Sequence, residues 1–204
     1  MVAPINGLRT TIQSPPVWRR FFHFTAGSSI PLASIFLPQV AMVWSLAALV
    51  AGGLGLDLAR IRIDRLNRVF LRWMAPLLKD NEDRRVTGAT YMAVAALTVF
   101  LLFDRPVAVA ALLFLSMGDP VAALVGSRMP GPRILGKSPG GTGAFIAISW
   151  AIVEVMVGAG SADHRWGLMA GAVAAGLTEL APLPVDDNLT VPIVAAGVMY
   201  ILGV

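Results

Sequence analysis

Between Phe24 and Leu56 the chain carries no charged residue. As helix that stretch is about 50 Å long, too much for one crossing of a bilayer core of about 30 Å and too little for two full crossings. Pro31 and Pro38 offer the break, because proline has no N–H for the helix ladder. The stretch therefore reads as a short first helix to about Leu37 and a full one from about Gln39 to Leu56. Further uncharged runs follow at Val86 to Phe103, Pro106 to Gly118, Pro139 to Val153, Trp166 to Thr178 and Asn188 to Val204. The pattern predicts an all-α, polytopic integral membrane protein of about seven transmembrane helices. Composition agrees, with 56% hydrophobic and 14% charged residues and a mean hydropathy of +0.73. Residues 1–204 read as a single membrane-embedded domain, with no soluble domain or internal repeat. The absence of cysteine rules out a disulfide framework, a thiolate metal site and a cysteine nucleophile.

The cations orient this chain. With seven passes, all of the 16 lysines and arginines except Arg105 and Arg165 fall on one side, which makes that side cytoplasmic. A single pass over Phe24 to Leu56 would move Arg9, Arg19 and Arg20 across and weaken the bias. The expected location is the cell membrane, multi-pass, with the active site facing the cytoplasm. The net charge of +4 is thereby explained by topology, and nucleic acid is not expected as a partner. Residues 1–22 form a cytoplasmic segment without a signal-peptide pattern. Residues 57–85 form a cytoplasmic amphipathic segment, in which Leu58, Ile61, Leu66, Phe70, Trp73, Met74 and Leu77 recur near helical spacing while Arg65, Arg68 and Arg72 share another face.

The chemistry concentrates in residues 118–143. Gly118-Asp119-Pro120 is expected to break or bend a membrane helix. After Gly126, the run through Arg128, Arg133, Gly136, Lys137, Ser138, Gly141 and Thr142 reads as a loop with many free backbone N–H groups, which bind anions. Arg128, Arg133 and Lys137 add positive charge, and Asp119 is the hard oxygen ligand that Mg²⁺ favours. Gly131 to Ser138 also fits the P-loop expression, but that motif needs a preceding buried strand, a following helix and a soluble α/β sheet, none of which is visible.

A second polar break lies at residues 179–192. Glu179 and Asp119 should reach similar depths in the inner half of the membrane, where charges are costly and usually functional or paired. Asp186 and Asp187 adjoin, and adjacent carboxylates repel unless a cation or metal joins them; a helix-capping role is the plainer alternative. With Lys137, these acids supply what phosphoryl or nucleotidyl transfer needs. His23, at the inner mouth of the first helix, is more readily an interfacial residue than a base. Glu154 reads as an inter-helix contact, and His164 has no assigned role.

At this point the residues resemble the CTP-dependent lipid kinases, which include dolichol kinase, phytol kinase and the yeast-type diacylglycerol kinase, related more distantly to phosphatidate cytidylyltransferase. The resemblance runs from Arg19-Arg20-Phe-Phe-His23 through Asp57-Leu-Ala-Arg60 and Arg85-Val-Thr-Gly-Ala-Thr-Tyr91. It continues through Gly118-Asp119-Pro-Val-Ala-Ala-Leu-Val-Gly126, Lys137-Ser138 and Asp186-Asp187-Asn188-Leu-Thr190-Val-Pro192. It implies transfer of the γ-phosphate of CTP to a membrane lipid alcohol, a polyprenol, dolichol or phytol-type isoprenoid or diacylglycerol, with Mg²⁺ or another divalent cation. On this resemblance Asp119, Lys137 and Asp187 are catalytic. Gly118, Gly126, Arg128, Lys137, Ser138, Gly141, Thr142, Asn188 and Thr190 bind the nucleotide, and Asp119, Glu179, Asp186 and Asp187 hold the metal. Arg20, His23, Asp57 and Arg60 are secondary candidates for lipid or phosphate. The expected partners are the lipid alcohol, CTP and membrane lipids, and a homodimer is left open. Gly140 stands where the family usually shows an acid, so that carboxylate is expected from elsewhere, for instance Glu179. The rival activities are a nucleotidyltransferase making a CDP-lipid and, from another class, a membrane transporter or lipid-binding protein; two related halves, common in transporters, are not visible.

Overall fold

The computed structural model describes residues 16–79, 82–129 and 133–204. Arg9, Gly131 of the P-loop expression and residues 1–15 of the N-terminal segment lie outside the described residues, as do 80–81 and 130–132 of the two longer polar segments. Among the described residues the chain is helical: α1 (Pro16–Ala33), α2 (Gln39–Arg62), α3 (Asp64–Met74), α4 (Gly88–Leu102), α5 (Arg105–Arg128), α6 (Pro139–Gly158), α7 (Arg165–Leu180) and α8 (Asp187–Ile201). A 3₁₀ turn at Ala75–Leu77 follows α3. The only β pairing among them is an isolated bridge between Ile134 and Lys137, so the strand that a P-loop requires is not there.

By length and composition α2, α5 and α6 are long and apolar enough to cross a membrane, and α4 and α8 are shorter apolar helices. The bundle turns apolar side chains outward, as a lipid-facing surface requires: Phe36, Trp44, Val155 and Ile201 are each at least 70% exposed. Its interior is built from small residues, with Ala95, Ala96, Ala108, Ala110, Ala111, Ala172, Ala175, Ala195 and Ala196 fully buried. Small residues let helices approach closely, which is how packing holds a bundle where lipid removes the hydrophobic drive. α5 is the central helix, touching α1, α4, α6, α7 and α8.

Polar contacts sort the helix ends into two layers. At one end, Arg105 at the start of α5 donates to the Ser34 and Leu37 carbonyls after α1. There, too, Gln39 of α2 donates to Phe100 O of α4, and Arg165 of α7 pairs with Glu154 of α6 at 3.3 Å. At the other end Asp57 of α2 meets Thr87, the N-cap of α4, and Lys137 before α6 meets Glu179 of α7 and Asp187 of α8. Successive long helices thus alternate in direction, with α3 set aside at the second end.

Four expectations need correcting. α5 runs unbroken through Gly118 and Pro120 to Arg128, so no helix ends there. An internal proline costs about 3 kcal/mol, but α5 is held on five sides by neighbours, and buried membrane helices tolerate such a residue. The first helix starts at Pro16 rather than near Phe24 and keeps Pro31 inside, which brings Arg19, Arg20 and His23 into regular helix. The amphipathic segment is not one helix, because Ile63 is extended (φ −112°, ψ 101°) and separates α2 from α3. Finally, the loop after Gly126 is shorter than expected: α5 continues to Arg128, and Pro139 is already the first residue of α6, so Gly140, Gly141 and Thr142 form a helical turn.

The break at Ile63 follows from Arg60. Its side chain is fully buried and donates through Nε to Asp57 Oδ1 at 2.7 Å, through Nη1 to Asn67 Oδ1 and Asp83 O, and through Nη2 to the Glu82 and Arg85 carbonyls. Arg60 also lies over the Phe70 ring, 4.4 Å from its centroid. A guanidinium has five N–H donors, and here all five are used within the protein, so none is left for a phosphate. Reaching Asn67 from α2 requires the chain to fold back at Ile63. Asp57 Oδ2 in turn accepts from Thr87 N, Thr87 Oγ1 and Thr90 Oγ1, tying α2 to α4.

Candidate active site

A cavity of about 300 Å³ opens at the second end of the bundle, lined by Arg20, Ala122, Ala123, Gly126, Ser127, Arg133, Gly136, Lys137, Ser138, Gly141, Thr142 and Glu179. Its walls are the last turns of α5, the first turn of α6, the start of α1 and the end of α7. Close packing of α5 on α6 shapes it. A Cβ at Gly141 would stand 2.8 Å from Ala122 O and 3.4 Å from Gly126 Cα, and one at Gly118 would stand 2.6 Å from the Phe145 ring. Only glycine at these places lets the two helices approach so closely.

The loop into α6 is made by a tight reversal. Ile134 and Lys137 exchange backbone hydrogen bonds at 2.9 Å, with Leu135 at φ 52° and Gly136 at φ 86° between them. Both central residues are left-handed, as in a type I′ turn. The reversal sends the Lys137 side chain towards α7 and α8. Ser138 then occupies the N-cap position and Pro139 the first position of α6. The first intrahelical bond runs from Thr142 N to Ser138 O, so the N–H groups of Gly140 and Gly141 precede the ladder at the positive end of the helix dipole. Thr142 Oγ1 is buried without a hydrogen-bond partner beside them. Arg20, Arg133 and Lys137 against Glu179 make the lining net positive, so it suits an anion with several oxygens.

Lys137 is the hub. Its Nζ lies 2.8 Å from Glu179 Oε1 and 3.1 Å from Asp187 Oδ2, and it also donates to the Glu179 carbonyl. Burial works against the ammonium charge, but the two carboxylates outweigh it and hold the Lys137 pKa above the ordinary lysine value. Two acids from different helices therefore converge on one cation.

The four expected metal ligands are not gathered into one cluster. Among the described residues no group of three or more His, Asp or Glu side chains is arranged to hold a metal ion, so Asp119, Glu179, Asp186 and Asp187 do not form one ligand set. Asp186 is occupied elsewhere: it caps α8 by accepting from Asn188 N at 3.0 Å and pairs with Lys79 at 2.7 Å. Asp119, on α5, acts electrostatically on His23 and Glu179. Glu179 and Asp187 remain, and two carboxylates with the phosphates of a substrate are the usual way a protein holds Mg²⁺. Each binds Lys137 through one oxygen, Glu179 Oε1 and Asp187 Oδ2, so a cation would have to use the other oxygen of each carboxylate.

Other expected residues lie apart from the cavity. Arg128 is exposed in the last turn of α5 and is not among the lining residues. Asn188 is buried against Gly88, where an added Cβ would meet its Nδ2 at 2.5 Å, and Thr190 Oγ1 donates to Asp186 O. Gly118 serves packing, and Asp57 and Arg60 are spent on the α2–α4 junction described above.

No family model matches the chain, and no solved structure matches it. The chain is 26% identical over 161 residues to the CTP-dependent diacylglycerol kinase 1 of Schizosaccharomyces pombe, covering 72% of this chain and 74% of that protein. It is 24% identical over 142 residues to an uncharacterised protein of Rickettsia prowazekii, covering 68% and 69%. The first similarity supports the CTP-dependent lipid kinase family.

Within that frame, two residues escaped the reading of the sequence. Lys79, counted there only as a cytoplasmic charge, reaches Asp186 across more than a hundred residues of chain and anchors the segment after α3 to the start of α8. Glu82 is buried and accepts from Gly88 N at 2.9 Å and Lys79 N at 3.1 Å; burial raises its pKa against these two donors. Neither has a sequence signal, since each depends on a contact between distant segments.

Proposed function

We propose that this chain transfers the γ-phosphate of CTP to the hydroxyl of a membrane lipid alcohol, diacylglycerol or a polyprenol-type isoprenoid. The reaction takes place at the cytoplasmic face of the cell membrane. The observation that carries the proposal is the cavity at one end of an apolar bundle, where three cations and the unspent N–H groups of the α6 first turn surround a space of about 300 Å³. A polyphosphate fits that lining, and a lipid reaches it from the side of the bundle. The alternating helix directions support a seven-pass arrangement of α1, α2 and α4 to α8, with α3 lying in the headgroup layer on the cytoplasmic side.

In this scheme the Gly140 and Gly141 amides, Ser138, Thr142 and Lys137 bind the phosphates, while Arg20 and Arg133 add positive charge at the rim. Lys137 is held in place before the nucleotide arrives, and preorganised donors of this kind are each worth about 10²–10³ in rate. Glu179 and Asp187 would hold a divalent cation, which supplies charge neutralisation at the phosphates when bound. Asp187 Oδ2 is taken up by Lys137 Nζ at 3.1 Å, so in this scheme Asp187 is assigned to charge balance at the phosphates and not to the proton of the lipid hydroxyl. That step falls to another group.

The proposal is tested with purified protein, labelled CTP or ATP and a panel of lipid alcohols, with products resolved by mobility. A phosphorylated lipid formed from CTP supports the kinase, a CDP-lipid supports the nucleotidyltransferase, and no lipid product from any pairing removes both.

A further inference from the structure

We propose that His23 is the general base that takes the proton from the lipid hydroxyl, an inference that rests on the lipid-kinase function above. His23 lies on α1, three residues after Arg20, which lines the cavity, so the two share a helix face. Asp119 lies three residues before Ala122, another lining residue, on α5. α1 leads away from the cavity end and α5 leads towards it, so both His23 and Asp119 stand one turn, about 4.5 Å, deeper in the bundle than the phosphate-binding layer. A hydroxyl presented from the membrane side to the γ-phosphate would lie at this level.

The ring is set up for the task. Its Nε2 is buried with no hydrogen-bond partner, and the backbone of Leu115 on α5 lies beside the ring. In the neutral tautomer protonated on Nδ1, this Nε2 carries a free lone pair. A buried polar atom without a partner is uncommon and costs stability unless a ligand completes it. The charged groups that act on the ring are Asp119 from α5, Lys79 from the segment after α3 and Asp186 from the start of α8. Beside His23 on α1, Phe22 and Phe24 face outward, so a lipid can approach along this helix.

The step balances. The lipid O–H bond breaks and its proton goes to His23 Nε2. The lipid oxygen forms a bond to the γ-phosphorus of the nucleoside triphosphate, and the bond from that phosphorus to the β-bridging oxygen breaks, its electron pair leaving with the nucleoside diphosphate. His23 then returns the proton to water.

The test compares wild type with His23→Asn and His23→Gln in detergent micelles containing diacylglycerol, with γ-labelled CTP. Asn retains a donor where Nδ1 sits, and Gln retains a polar atom near Nε2; neither is basic. Both should lose about 10²- to 10⁴-fold in kcat while the KM for CTP and the thermal transition hold. Wild-type log kcat should fall with unit slope towards acid pH as the base is protonated, and residual activity in the variants should lack that limb. Either variant with kcat within about threefold of wild type overturns the inference. A loss matched by a raised KM for CTP, or by a lost thermal transition, also overturns it, because His23 then binds nucleotide or packs the bundle. A wild-type protein that phosphorylates no lipid alcohol removes the kinase function itself, and this inference with it. Unimpaired variants beside an active wild type remove only the inference.

Discussion

Three glycines in the first turns of α6 make a graded test of the site. An Ala side chain at Gly141 would place its Cβ 2.8 Å from Ala122 O and 3.4 Å from Gly126 Cα, both backbone atoms of α5. Ordinary contact needs about 0.6 Å more at the carbonyl, and neither backbone can swing aside as a side chain would, so α6 must move off α5. Overpacking of this kind costs roughly 1–3 kcal/mol, or about 2–4 °C in Tm for each kcal/mol in a chain of this size. The same shift displaces the Gly140 and Gly141 amides, and a misplacement of about 1 Å costs on the order of 100-fold in rate. At Gly140 the added Cβ meets the Sδ, Cε and Cγ of Met129, a flexible, half-exposed side chain that can swing away, so Gly140→Ala should stay within about 0.5 kcal/mol. At Gly143 there is nothing within 4 Å, and Gly143→Ala should be neutral or stabilise the helix by up to about 1 kcal/mol. Thermal unfolding in detergent and CTP-dependent lipid phosphorylation are measured on all three. A Gly141→Ala protein as stable and active as Gly143→Ala would refute the packing argument.

Arg60→Met should unfold the junction of α2, α3 and α4, because removing one partner of a buried ion pair costs about 3–5 kcal/mol; a protein with unchanged Tm but a raised KM for lipid would instead make Arg60 a lipid ligand. The raised Lys137 pKa means that its ion pairs stabilise the fold fully below the unfolded lysine value of about 10.4, and that this stabilisation is lost as pH rises through the higher folded value. Tm should therefore drop in that alkaline window in wild type and drop less in Lys137→Met. Single cysteines at Arg128 and Asp163 should differ in labelling by an impermeant reagent on intact cells, with Asp163 reactive and Arg128 protected; equal labelling would contradict the proposed orientation.

Much of the helical architecture is legible in the sequence because hydropathy runs are local. The uncharged stretches mark α4, α7 and α8 to within a few residues and the starts of α2, α5 and α6, while α2, α5 and α6 run on to Arg62, Arg128 and Gly158. What escaped is non-local. Pro120 looks like a break when only its own missing N–H is counted, and the five helices packed on α5 are invisible from the motif. Arg19 and Arg20 look like loop residues by charge, yet they lie in α1, whose outer face carries Trp18, Phe21 and Phe22. Ile63 gives no turn signal, since the break there is set by Arg60 reaching Asn67. At the site, Lys137, Ser138, Gly141, Thr142 and Glu179 come together at one cavity, and each lies in or next to a polar interruption of an apolar run. Asn188 and Asp186 sit in the same kind of interruption, but Asn188 packs against the start of α4 and Asp186 caps α8, a division that spacing alone does not make.

The central claim is tested most directly by following the two ends of the triphosphate in one reaction. Wild type and Lys137→Ala are incubated with CTP labelled either at the α- or at the γ-phosphate, together with diacylglycerol. The account predicts that wild type places the γ label in the lipid and leaves the α label in CDP, and that Lys137→Ala loses on the order of 100-fold or more of this transfer. An α label found in the lipid with release of pyrophosphate, or full transfer by Lys137→Ala, would contradict it.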